Sequence, residues 1–139
     1  SKYLDAPNDP LFPFGFGLSY TTFAYSGLKV EPPMVGPGGI VKVAVVLTNT
    51  GDRPGSEVVQ LYVRDEVATV TRPVKELKGF RNVVLKPREN ATVEFLIPAQ
   101  ELGFLDRTMQ YNVEPGTFRV FVGGNSVDCL EQQFEVRER

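Results

Sequence analysis

The chain has 139 residues, 42% hydrophobic and 23% charged, with 13 Gly, 11 Pro, one Cys, and neither His nor Trp. A chain of this length reads as one domain that buries roughly 68% of its unfolded surface, and with a single thiol and no imidazole it cannot assemble a Ser-His-Asp or Cys-His nucleophile, a His- or Cys-based metal site, or an internal disulfide. Fifteen basic residues against seventeen acidic ones give a net charge of -2, which argues against nucleic acid as a partner, and no apolar run approaches the roughly 20 residues of a membrane helix.

The segment 1–22 stands apart. Pro7, Pro10, Pro13, Gly15 and Gly17 forbid a continuous helix or a central strand. Yet Tyr3, Leu4, Leu11, Phe12, Phe14, Phe16, Leu18 and Tyr20 are large and apolar, so the segment gains by burial and is not composed like a linker. It packs either on this domain's own core or on a neighbouring domain. A start at Ser1 rather than Met points to a piece of something longer.

Strands at short spacing follow. The first covers 23–30 and stops at Pro32 and Pro33, and 34–39 reads as a turn cluster. Over 40–48 Val41, Val43, Val45 and Leu47 share one face, as in a half-buried strand. Turn chemistry at 49–55 leads into 57–64, with Val59, Leu61 and Val63 on one face and Val58, Gln60 and Tyr62 on the other. The stretch 65–76 is weakly periodic, contains Pro73, and reads as a long loop. Strands at 78–85 and 91–97 come next, the latter aligning Val93, Phe95 and Ile97. One helical turn at 99–102, a hairpin about 106–108, a strand at 117–123 burying Phe118, Val120 and Val122, and a last strand at 130–136 complete the pattern.

Seven or eight strands without an amphipathic helix predict an all-β fold, a Greek-key sandwich of two sheets with an extended N-terminal segment; a closed barrel is the alternative. The immunoglobulin Cys-Trp-Cys core is missing, which favours a fibronectin type III-like sandwich.

Candidate chemistry is sparse. Asp65-Glu66 is the only adjacent acidic pair in the sequence, and nothing sets a second acid across a sugar cleft from either, so it reads as a solvated strand end. Gly15-Phe16-Gly17 lacks the third glycine and the helix of a phosphate loop. Asn90-Ala91-Thr92 satisfies the glycosylation sequon. Cys129 reads as a small, partly buried apolar residue. Tyr62, Tyr111 and Phe104 could stack on a sugar, but each lies on or beside a strand where core packing is the commoner fate.

Several strings then resemble a known family. Residues 13–23, PFGFGLSYTTF, are similar to the signature leading into the C-terminal fibronectin type III-like domain of glycoside hydrolase family 3 enzymes. The strings at 49–51 (NTG), 57–63 (EVVQLYV), 72–80 (RPVKELKGF) and 114–116 (EPG) match in family order. The first residues, SKYLD, resemble the approach to this junction in periplasmic bacterial β-glucosidases.

The resemblance implies a parent with a (β/α)8 barrel, an α/β sandwich domain and then this domain, a retaining β-glucosidase or β-xylosidase whose nucleophile and acid/base lie on the first two. It implies no catalytic, metal or cofactor residue in this chain, and a periplasmic or secreted location. Residues 1–22 are then the tail of the preceding domain and a linker, and 23–139 the sandwich. Interdomain contact is expected at Tyr3, Leu11, Phe12, Phe14, Phe16 and Tyr20, and in the 65–75 loop at Arg72 and Pro73. The implied partners are the catalytic domains of the same polypeptide, with weak glycan contact left open. Two further readings stand beside the brace: a carbohydrate-binding module, and one fragment of an intact enzyme.

Overall fold

The computed structural model describes residues 21–66, 75–102, 104–105, 111–112 and 116–137. Its strands are β1 (Phe23–Glu31), β2 (Met34–Val35), β3 (Ile40–Asn49), β4 (Gly55–Asp65) and β5 (Glu76–Leu85), then β6 (Asn90–Pro98), β7 (Phe104–Leu105), β8 (Tyr111–Asn112), β9 (Gly116–Gly123) and β10 (Cys129–Val136). A 3-10 turn occupies Ala99–Leu102. Among the described residues, no helix is long and apolar enough to cross a membrane.

The strands form a three-stranded sheet in the order β1-β3-β6 and a five-stranded sheet in the order β2-β10-β9-β4-β5; β7 and β8 form a separate pair. Among the longer strands the chain therefore changes sheet from β3 to β4, from β5 to β6 and from β6 to β9, as Greek-key connections do. This is the expected sandwich rather than a closed barrel. One expectation needs correction. Met34 and Val35 are not merely part of a turn, since they add a short strand parallel to the end of β10, pairing with Glu135 and Val136. Two residues are too few for periodicity to reveal, and the pairing partner lies a hundred residues away in sequence.

The period-2 pattern sets the core. Val41, Val43, Val45 and Leu47 from β3 are buried, as are Val59, Leu61 and Val63 from β4 and Val93, Phe95 and Ile97 from β6. They meet Phe118, Val120 and Val122 of β9 and Phe134 of β10 in one cluster. Phe118 and Phe134 stack with ring centroids 5.6 Å apart.

Strand β1 departs from simple alternation. Phe23 and Tyr25 pack on the core, and so do Leu28 and Val30, one residue out of phase. The register against β3 shifts between Ser26 and Lys29. Gly27 sits in this bulge at φ 62°, a left-handed conformation that side chains disfavour. The bulge restores the inward phase, and Leu28 returns to the core.

Candidate functional site

The end of the sandwich where the chain enters is built around one buried amide. Asn49, the last residue of β3, is fully buried, and its side chain has every hydrogen-bonding capacity met. Its Oδ1 accepts from the Thr21 hydroxyl at 2.6 Å and from the Gly51 backbone N–H at 3.0 Å. Its Nδ2 donates to the carbonyls of Arg53 at 2.8 Å and Leu85 at 3.2 Å. Thr50 N–H donates to the Thr22 carbonyl at 2.8 Å, and the Thr22 and Thr50 hydroxyls meet at 2.6 Å.

Close packing accompanies these bonds. A Cβ on Gly55 would lie 2.4 Å from Thr21 Cγ2, so only glycine lets Thr21 seat there. The result clamps Thr21 and Thr22 to the ends of β3 and β5 and the start of β4. Burying an amide is costly unless all its bonds are made, and here they are.

Beside this clamp a second polar pair crosses between the sheets. Tyr25 of β1 pairs in register with the buried Leu47, and Glu57 of β4 shares the parity of Val59 and Leu61. The Tyr25 hydroxyl donates to Glu57 Oε2 at 2.7 Å. Burial raises the Glu57 pKa, opposed by the hydrogen bond from Tyr25. Burial, with Glu57 adding to it, pushes the Tyr25 phenol far above its ordinary range. Cys129 lies near this pair; its thiol is pushed up by burial and meets the Asn125 carbonyl at 2.9 Å. The reading of Cys129 as partly buried fits its half-buried position.

A third cluster flanks the 65–75 stretch on the outer face of the larger sheet. Phe121 pairs with the outward Tyr62, yet is only 2% exposed. The guanidinium of Arg64 stands 5.0 Å from its ring centroid and the Lys75 ammonium 4.2 Å. Lys75 Nζ also donates to the Ser126 carbonyl at 2.6 Å. Glu66 takes a hydrogen bond from Arg64 Nε and lies 3.6 Å from Arg119 Nε, and the bond from Arg64 is the main cause that lowers its pKa. Its backbone N–H donates to the Thr117 carbonyl at 2.9 Å. Glu66 is thus engaged by two arginines, not a freely solvated strand end.

The sequence-predicted contact residues Tyr3, Leu11, Phe12, Phe14, Phe16, Tyr20, Arg72 and Pro73 lie outside the described residues. What the structure does place is what borders them: Thr21 and Thr22 after the first group, and Glu66 and Lys75 on either side of the second. Tyr62 is half-buried and its hydroxyl donates to Gln60 Oε1, which ties it into the sheet instead of leaving a free platform. The side chains of Phe104 and Tyr111 lie outside the described set. Asn90 is exposed at the start of β6. Among the described residues, no three Cys, Asp or Glu side chains group so as to hold a metal ion.

Sequence reasoning missed Asn49, Glu57 and Phe121 as special positions. Asn49 passes as ordinary turn chemistry, although an Asn ending an apolar alternation at the parity of Val45 and Leu47 was a usable signal. The same parity puts Glu57 with Val59, Leu61 and Val63. No local signal marks Phe121, because its cover comes from cations distant in sequence.

The profile of the family described as "Fibronectin type III-like domain" matches residues 57–126. The periplasmic β-glucosidase of Salmonella typhimurium is 46% identical over 136 residues, covering 98% of this chain and 18% of that protein. A β-xylosidase of Formosa agariphila is 48% identical over 125 residues, covering 90% of this chain and 17% of that protein. The solved structure of a β-glucosidase from Erythrobacter marinus superposes with a TM-score of 0.81 at 38% identity, over 99% of this chain and 18% of that one. The chain thus spans less than a fifth of the length of these relatives.

Proposed function

Because the chain belongs to the fibronectin type III-like domain family, we propose that it is the non-catalytic C-terminal accessory domain of a glycoside hydrolase family 3 enzyme of β-glucosidase or β-xylosidase type. There it braces the catalytic domains of the same polypeptide. The observation that carries this reading is the asymmetry of coverage: 98% of this chain aligns with 18% of a periplasmic β-glucosidase. Bond cleavage belongs to the remaining length, and this chain alone hydrolyses nothing. The parent works in the periplasm or outside the cell, as that relative's name suggests for its own case.

In this reading residues 1–22 join the sandwich to the preceding α/β domain, with Tyr3, Leu11, Phe12, Phe14, Phe16 and Tyr20 lying against that domain. Arg72 and Pro73 make a second contact. The Asn49 clamp supports the arrangement, since it ties the end of this segment rigidly to three strands. A brace needs such a joint, because a loose tether would transmit no stability. The test is deletion of 23–139 from the full-length parent, followed by its melting temperature and its turnover of a chromogenic β-glucoside or β-xyloside. Both should fall; a deletion that changes neither refutes the brace. The 139-residue chain should give no turnover.

A further inference from the structure

We infer that the parent polypeptide docks on the outer face of β4 and β5, at the apolar strip formed by Val58, Leu77, Phe80 and Val84. This rests on the proposed accessory role and assigns it a surface. Phe80 is 61% exposed and Val84 73%, with Val58 and Leu77 close to half exposed. In the β4–β5 register Val58 lies opposite Asn82, between Phe80 and Val84, a diagonal spacing of about 7–8 Å that lets the three side chains form one surface. The strip sits on an edge strand, because β5 ends the larger sheet.

Edge strands are normally guarded by charge. The cations of β5 are instead committed elsewhere. Lys78 Nζ donates to the Glu101 carbonyl at 2.9 Å and pairs with Glu76 at 3.2 Å. The Arg81 guanidinium stands 4.7 Å from the centroid of the core ring Phe95, and its Nη1 donates to the Phe80 carbonyl. With both cations so engaged, the polar side chain left between Phe80 and Val84 is the uncharged Asn82, so the strip suits an uncharged, largely apolar partner.

Position selects the occupant. Ser56 and Val84 are cross-strand partners one residue from the Gly55–Leu85 pair, and Thr21 is clamped against Gly55. A partner joined through residues 1–20 is therefore tethered next to the strip, which makes docking intramolecular and favoured by effective concentration. A second copy would have to meet the full bimolecular entropy cost of association, which a tethered partner avoids. The remainder of the parent, of which this chain represents 17–18% in the relatives, supplies ample surface.

The test compares backbone hydrogen exchange over 76–85 in the full-length parent and in the 139-residue chain. Protection should be at least about tenfold greater in the parent. The double substitution Phe80→Asp/Val84→Asp should abolish that difference, whereas Leu96→Asp, at an exposed position on the other sheet, should leave it intact. The same double variant of the 139-residue chain should keep its melting temperature, showing that the fold survives. Equal exchange in parent and chain overturns the docking face, and the deletion of 23–139 then decides the accessory role separately. Protection that disappears on dilution together with a halving of mass assigns the face to a second copy and overturns the inference.

Discussion

At the scale of single residues, the buried Asn49 and the half-buried Glu57 decide how the entry end of the sandwich behaves. Replacing Asn49 with Ala strands the Leu85 carbonyl in a buried site and leaves the Gly51 N–H and the Arg53 carbonyl unpaired in part-buried ones. Each such group costs about 1–3 kcal/mol, some of it recovered by relaxation of the 49–55 turn. We expect Asn49→Ala to destabilise the 139-residue chain by about 3 kcal/mol in urea unfolding; a loss under about 0.5 kcal/mol would show that the clamp is not structural. Glu57 behaves differently, because its folded pKa is raised above the unfolded one. A raised carboxyl pKa means that the native state holds its proton more tightly than the unfolded chain does. The associated stability is fully present below the unfolded pKa, near 4.5, and is lost as pH rises through the folded pKa. Glu57→Gln keeps an acceptor for the Tyr25 hydroxyl and removes the buried charge. The variant should be more stable than the original chain at pH 7 and equal to it at pH 3.5. Thermal unfolding at the two pH values checks this, and a variant less stable at pH 7 would mean that the Tyr25–Glu57 bond outweighs burial of the charge.

At the scale of elements, the β1 bulge joins two apolar pairs that a regular strand would send to opposite faces. With φ at 62°, Gly27→Ala introduces the left-handed penalty of about 1–2 kcal/mol, although a Cβ there would meet nothing closer than Val46 Cγ2 at 3.7 Å. The loss should appear in urea unfolding, and Gly27→Asn should recover part of it; equal stability of Gly27→Ala and the original chain would mean the bulge is not under that constraint. This position also shows where sequence reading reached and where it stopped. The long strands were legible because Val41, Val43, Val45 and Leu47, and likewise Val93, Phe95 and Ile97, make one face uniformly apolar. The bulge in β1 was not, since a phase change looks the same in sequence as a weak pattern. Strand β2 was invisible because two residues carry no period and their pairing partner, β10, is distant in sequence. Phe121 alternates with the inward Val120 and Val122, yet it is buried because Arg64 and Lys75 stand over it. Cover supplied from another strand and from the far side of a loop leaves no trace in local periodicity. Of the candidate site, the sequence held the residue types at the entry turn without their geometry, since four bonds to one amide depend on three strands converging.

At the scale of the whole molecule, the question is where the free energy of the apolar rings in residues 1–20 is spent. The competing answers were this domain's own core or a neighbouring domain, and they differ in a measurable way. Among the described residues the core holds Phe118, Phe134 and Phe95 buried to 3% exposure or less. In the proposed accessory role the rings of residues 1–20 lie on a preceding domain, joined to the sandwich through the Thr21–Asn49 clamp. Each ring buried there contributes roughly 1.5–3 kcal/mol. The double substitution Phe14→Ala/Phe16→Ala should therefore lower the melting temperature of the full-length parent. In the 139-residue chain it should shift unfolding by no more than about 0.5 kcal/mol, the range of a surface change. Equal losses in the two would place the rings on this domain's own surface, and the bracing role would then have to rest on the sandwich faces alone.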